Sequence, residues 1–192
     1  SEIKCDKVIV DDFNGAKKAV KKLIENGCKS IALITTKDYV SVGKLRTQGY
    51  LEALEEHQMP PKAELILKID ESLDYEAHLE ALEKEIEQLF QSNPKLDGVF
   101  AVNEIYALLA MKVARKLGLD VPNDVQVIGF TDGVLSKHAT PSLTTVSQHA
   151  QRMGEKAAEL LIDKLESEFN SADEVFQTVV ITTDLVERES TK

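Results

Sequence analysis

Apolar residues along this chain alternate between two spacings. Short unbroken runs at Val8 to Val10, "SIALIT" (30–35), "AELILKI" (63–69), "DGVFAV" (97–102) and "VQVIGF" (125–130) have the length of strands buried on both faces. Between them the apolar positions recur at helical spacing. "FNGAKKAVKKLIENG" aligns Ala16, Ala19, Val20, Leu23 and Ile24 on one stripe and predicts a helix capped by Gly27. After a loop over 36–43, "KLRTQGYLEALEEHQ" predicts a second helix, stopped by Met59-Pro60-Pro61. Tyr75 to Phe90 predicts a third, with Leu79, Leu82, Ile86 and Leu89 inward and Glu76, Glu80, Glu83 and Glu87 on a solvated face.

"EIYALLAMKVARKLG" is apolar over more than one face and is expected to be buried on two sides. Its second side meets either another subunit or loops of its own chain. Next come "PSLTTVSQ", a helix "QRMGEKAAELLIDKLES" with Met153, Ala157, Leu160, Leu161 and Leu165 inward, a polar linker around Asn170 to Asp173, and a β-rich ending "VFQTVVITTDLVERES". Strands alternating with long helices predict an α/β fold, a parallel sheet flanked by helices on both faces.

At 192 residues and 43% hydrophobic content the chain can bury one ordinary core. A formal charge of −10 argues against this chain gripping a phosphate backbone itself, so any DNA contact must come from elsewhere. The only cysteines, Cys5 and Cys28, are read as reduced thiols. No apolar stretch approaches the roughly 18 residues of a membrane helix. The start, "SEIKCDKVIVDD", has neither a leader nor an initiating Met, and suggests a chain cut from something longer.

Parallel sheets place ligands beyond the carboxyl ends of their strands, so the residues after Thr35, Ile69, Val102 and Phe130 are where function is sought. No catalytic kit stands there. "VGKLRTQG" lacks the earlier glycine and following Ser or Thr of a phosphate loop, and neither G-x-G-x-x-G nor G-x-S-x-G occurs. His57, His78, His138 and His149 are isolated, so neither a metal site nor a cofactor is expected, and an enzyme is disfavoured. The adjacent acids Asp11-Asp12 and Asp70-Glu71 are read as caps or solvated groups. What remains is an array of hydrogen-bonding side chains: Arg46, Asp70, Asn103, Thr131 and Asp132. Such an array can orient a polar ligand without reacting with it.

Together, "VDDFNGAKKAVKKLIENGCKSIALI", "RTQGYLEAL", "GVFAVNEIYALLAMKVARKLGLDVPNDVQVIGF", "PSLTTVSQ", "MGEKAAELL" and "TTDLVERES" closely resemble the effector-binding core of LacI-family transcriptional regulators. The resemblance spans almost the whole chain in the family's order. It implies a periplasmic-binding-protein-like, Rossmann-like three-layer fold, with a C-terminal effector-binding subdomain over 1–142 and an incomplete N-terminal subdomain. Residues 143–173 would be a crossover and helix of that second subdomain, and 174–192 a returning strand and tail.

The family's effector-gripping arginine matches Arg46, its asparagine after the A-x-N strand matches Asn103, and cleft-lining loop positions match Val40 and Val42. Three positions depart from the pattern. Thr131 stands where some members carry a sugar-binding acid, with Asp132 next. Ile69 stands where some carry a ring-stacking aromatic, a loss of roughly 0.5–1.5 kcal/mol for a flat ligand. Glu104 replaces an aspartate.

The implied function is ligand sensing in a cytoplasmic homodimeric repressor, with a sugar or sugar derivative changing operator affinity. DNA would be met only through a headpiece absent from this chain, and no membrane is involved. Arg46→Ala is then expected to abolish the effector response with folding intact. A periplasmic sugar-binding protein and a flavodoxin-like domain are the alternatives.

Overall fold

The computed structural model describes residues 4–37, 41–70, 75–166 and 176–192. In order these form β1 (Lys7–Val10), α1 (Asp12–Glu25), β2 (Ile31–Thr36), α2 (Ser41–Glu56), a 3-10 turn (Ala63–Leu65), β3 (Ile66–Ile69), α3 (Tyr75–Ser92) and β4 (Gly98–Ala101). There follow α4 (Glu104–Lys116), β5 (Gln126–Phe130), α5 (Val134–His138), β6 (Thr144–Ser147), α6 (Ala150–Glu166), β7 (Thr178–Ile181) and β8 (Asp184–Val186).

Six strands form one sheet in the order β3-β2-β4-β5-β6-β8, parallel except for β8, which runs antiparallel to β6. All residues of β2, β4, β5 and β6 are buried, as expected of runs covered on both faces. The chain steps from β2 to β3 on one side, then back past β2 to β4. Right-handed crossovers therefore put α2 and α3 on opposite faces. α1 packs on α2, and α4 on α3. Gly49 permits the first contact, because a Cβ there would lie 2.3 Å from the Phe13 carbonyl oxygen. Two ion pairs, Lys112–Glu83 at 2.6 Å and Lys116–Glu87 at 2.7 Å, join the second. Part of the acidic stripe expected to be solvated is thus tied to α4. The second face of α4 meets α3, leaving Ile105, Leu108 and Leu109 half-buried.

At the foot of α1 the expected cap forms. Gly27 has φ +93°, its N–H donates to Ile24 O, and Cys28 N–H donates to Leu23 O. Cys28 itself behaves as a core apolar residue. Burial pushes its thiol up to about 12, and both cysteines are free.

Three placements differ from the sequence reading. β1 does not open the main sheet but pairs in parallel with β7, Val8 opposite Val179 and Val10 opposite Ile181, in a separate two-stranded sheet. α6 packs on β1, and of its expected inward stripe only Leu160 is buried, while Leu161 and Leu165 are 59% and 73% exposed. A two-stranded ribbon is too narrow to cover a helical stripe. The loop after β5 contains α5, five residues long and too short to show a period. Among the described residues no helix is long and apolar enough to cross a membrane.

Candidate functional site

The carboxyl ends of β2, β4 and β5 face the amino end of α1, and Arg46 lies where these elements meet. It stands one turn into α2 and is only 4% exposed. Its Nε donates to Asp12 Oδ1 at 2.8 Å, and its Nη2 lies 2.6 Å from the same oxygen. Nη1 donates to the carbonyl of Val102, just past β4. The guanidinium carbon lies over the Phe130 ring, 3.5 Å from its centroid. Asp12 is 7% exposed. Burial pushes its carboxyl above the ordinary value although Arg46 pulls it down, and burial likewise lowers Arg46.

Asn103 follows Val102 and caps α4, its Oδ1 accepting from Tyr106 N–H at 2.8 Å. Thr131 follows Phe130 with φ +84°, a left-handed conformation that a β-branched residue adopts only under constraint. Its carbonyl accepts from Gly133 N–H at 3.0 Å and from Thr145 Oγ1 at 3.1 Å. Arg46, Asn103 and Thr131 are thus gathered at the ends of the two central strands.

The other expected site residues are engaged by partners, packed in the core or exposed. Asp132 is engaged by Arg188 at 2.5 Å, and Asp70 by Lys37 at 2.5 Å at the end of the edge strand. Ile69 is a core residue of that strand, and Val42 is exposed in the first turn of α2. Val40 lies outside the described residues.

Sequence reasoning missed Asp12, taken with Asp11 as a cap or a solvated acid. Asp11 is indeed the cap, accepting from Asn14 N–H at 3.3 Å, but Asp12 turns inward to the guanidinium. The spacing of Asp12 from Arg46 carries no periodic signal. Nor did the sequence reveal what occupies Glu104, whose Oε1 accepts from Ser136 N–H at 2.7 Å and from Ser136 Oγ at 2.5 Å. That carboxylate holds the amino end of α5.

The same region links the main sheet to the β1/β7 ribbon. His149, with φ +50°, sits between β6 and α6 and pairs through Nε2 with Asp184 at 2.8 Å. Lys18 donates to Thr183 O at 2.8 Å between β7 and β8. Among the described residues the buried hydroxyls of Thr36 and Thr183 find no hydrogen-bond partner. Among the described residues no cluster of three or more His, Cys, Asp or Glu could hold a metal. The arrangement offers neutral donors and acceptors above a buried ion pair. It can bind and orient a polar molecule.

A family profile described as periplasmic binding protein-like domain matches residues 20–191. The HTH-type transcriptional regulator CelR of Thermobifida fusca is 33% identical over 95% of this chain and 51% of its own. The ribose operon repressor of Halalkalibacterium halodurans is 33% identical over 93% of this chain and 50% of its own. A solved CelR–cellobiose complex superposes with TM-score 0.85 at 31% identity, over 99% of this chain and 55% of that one. The chain spans about half the length of the two curated relatives. It belongs to the periplasmic binding protein-like domain family, and its relatives there are LacI-family regulators.

Proposed function

We propose that this chain is the effector-sensing part of a cytoplasmic LacI-type regulator, binding a small carbohydrate that changes operator affinity. The observation that carries this reading is the grouping of Arg46, Asn103 and Thr131 at the central strand ends, beside the links to the β1/β7 ribbon. The six-stranded sheet with its helices is the effector lobe, and β1, α6 and β7 belong to the second lobe. A ligand that prefers the closed arrangement of two lobes shifts the population toward it, and a coupled headpiece would read that shift. With a charge of −10, these residues leave DNA contact to such a headpiece.

The test is operator binding by the full-length protein with and without cellobiose or ribose. A change in affinity of at least fivefold with one of them is expected. No change with any sugar, together with a bound export receptor in a pull-down, would favour the transport reading instead.

Dimerisation is proposed through α4 and α5. Val134 and Leu135 are exposed on α5, which packs on α4, where Ile105, Leu108 and Leu109 are half-buried. Sedimentation of the full-length protein is expected to give a dimer, and Leu135→Glu a monomer. A monomeric parent protein would remove this interface.

A further inference from the structure

The loop that carries Thr131 is held from two sides. Toward β6, Thr131 N–H donates to Val146 O at 2.9 Å, Thr145 Oγ1 donates to Thr131 O at 3.1 Å, and Asp132 pairs with Arg188. Toward α4, the anchors converge on one carboxylate. Glu104 Oε1 accepts from the N–H and Oγ of Ser136, and the fully buried Ser136 accepts in turn, through its carbonyl, from Leu143 N–H at 2.8 Å. Glu104 Oε2 lies against Gly133, where a Cβ would stand 2.3 Å from it. Gly133 has φ −80°, which any residue adopts, so the glycine is required by the carboxylate and not by the backbone. Glu104 also follows Asn103 directly, and Asn103 is fixed as the cap of α4 by the bond from Tyr106 N–H.

Resting on the effector reading above, we propose that Glu104 is a positioning residue for the effector site: its carboxylate clamps the loop 131–136 to the first turn of α4 and so sets the distance between Thr131 and Asn103. The base of the clamp is firm, because α4 lies so close on β5 that a Cβ at Gly129 would come within 3.1 Å of Ala107 Cβ. A carboxylate oxygen accepts from two donors at once, so it selects the loop position in which the N–H and the hydroxyl of Ser136 both reach it. Without it, the amino end of α5 keeps an unsatisfied N–H and the loop samples other positions. A site whose competent arrangement is only fractionally populated binds more weakly by that fraction, although no contact to the ligand has been removed. Thr131, at φ +84°, holds a conformation that its surroundings must enforce, and the clamp is one of the restraints that enforce it.

The experiment follows amide hydrogen exchange in the full-length protein by mass spectrometry, together with titration by cellobiose and ribose. In Glu104→Ala, exchange over 131–139 is expected to rise at least about tenfold, the scale of one lost hydrogen bond to a charged group, while β4 stays as protected as in the parent protein. Glu104→Gln keeps the accepting oxygen and should hold exchange within about twofold of the parent. Should Glu104→Ala fail to fold, Ser136→Ala, which loses only the Oγ bond, is expected to show a smaller rise confined to the same segment. Whichever sugar binds should bind at least about fivefold more weakly to Glu104→Ala, and within about twofold of the parent to Glu104→Gln. Unchanged exchange over 131–139, a rise shared equally by β4, or sugar affinity untouched in Glu104→Ala overturns the inference. So does a Glu104→Gln variant that stays protected yet binds as weakly as Glu104→Ala, which would put the carboxylate on the ligand itself. If neither sugar binds the parent protein, the carbohydrate reading falls, and the exchange pattern alone decides whether Glu104 holds the loop.

Discussion

Arg46→Ala will lower the unfolding free energy by about 3–5 kcal/mol, the usual range for removing one partner of a buried ion pair. The loss is large because Asp12 has no replacement cation: it is 7% exposed, and its carboxyl accepts from the guanidinium alone among the described contacts. The variant also loses the stack on Phe130 and the donor to Val102 O. This revises the expectation, drawn from sequence, that the substitution would leave folding untouched.

The pH dependence has a definite sign. Burial already raises the Asp12 carboxyl, and without Arg46 nothing opposes it. A folded-state carboxyl raised above its unfolded value binds the proton more tightly when folded, so stability falls as pH rises from the unfolded value through the folded one. The deficit of Arg46→Ala should therefore shrink as pH is lowered. Urea unfolding of the two single variants and of Asp12→Ala/Arg46→Ala closes the cycle. A coupling of about 0.5–3 kcal/mol is expected for groups in contact. Additive losses would show that the two side chains contribute independently.

The central strands were legible in the sequence because a parallel strand buried on both faces reads as a near-continuous apolar run, its few polar residues (Thr35, Thr36 and Gln126) falling at the strand ends; β2, β4 and β5 are of this kind. β1 was legible as a strand but not in its pairing. Four residues, Lys7 to Val10, look alike whichever sheet receives them, and the receiving strand begins at Thr178. Periodicity likewise told which face of α6 is apolar, not whether anything covers it. Arg46, Asn103 and Thr131 could be placed near strand ends because strand ends can be located from runs. Asp12, Ser136 and Arg188 were not, since each acts on a residue far along the chain and leaves no local pattern. Asp132 and Asp70 were placed correctly along the chain, yet their cations were invisible.

The second large effect concerns Ser190, in the tail that the sequence shows only as part of a β-rich ending. The paired register of β5 and β6 begins at Ile128 opposite Thr144. Before that point the tail fills the gap: Val127 N–H donates to Ser190 O at 3.0 Å, and Ser190 N–H donates to Ser142 O at 2.9 Å. The Ser190 hydroxyl completes the join, accepting from Thr144 N–H at 2.8 Å and donating to Val127 O at 2.6 Å.

Ser190→Ala removes that hydroxyl and orphans a donor and an acceptor in a fully buried setting, at about 1–3 kcal/mol each. A loss of roughly 2–4 kcal/mol by urea unfolding is expected. Arg188, which holds Asp132 at the end of β5, hangs on the same tail, so the substitution should also weaken effector binding. Glu189→Ala is the control. Hydrogen bonds from Ser142 hold the Glu189 carboxyl below its ordinary value of 4.5, so its contribution is present above that pH and fades as pH falls through the lower folded value. The Ser190 contribution involves no titrating group and must persist through the same range. A Ser190→Ala deficit that vanished in acid along with that of Glu189→Ala would mean the tail is held by its carboxylate, and that the hydroxyl between β5 and β6 is incidental.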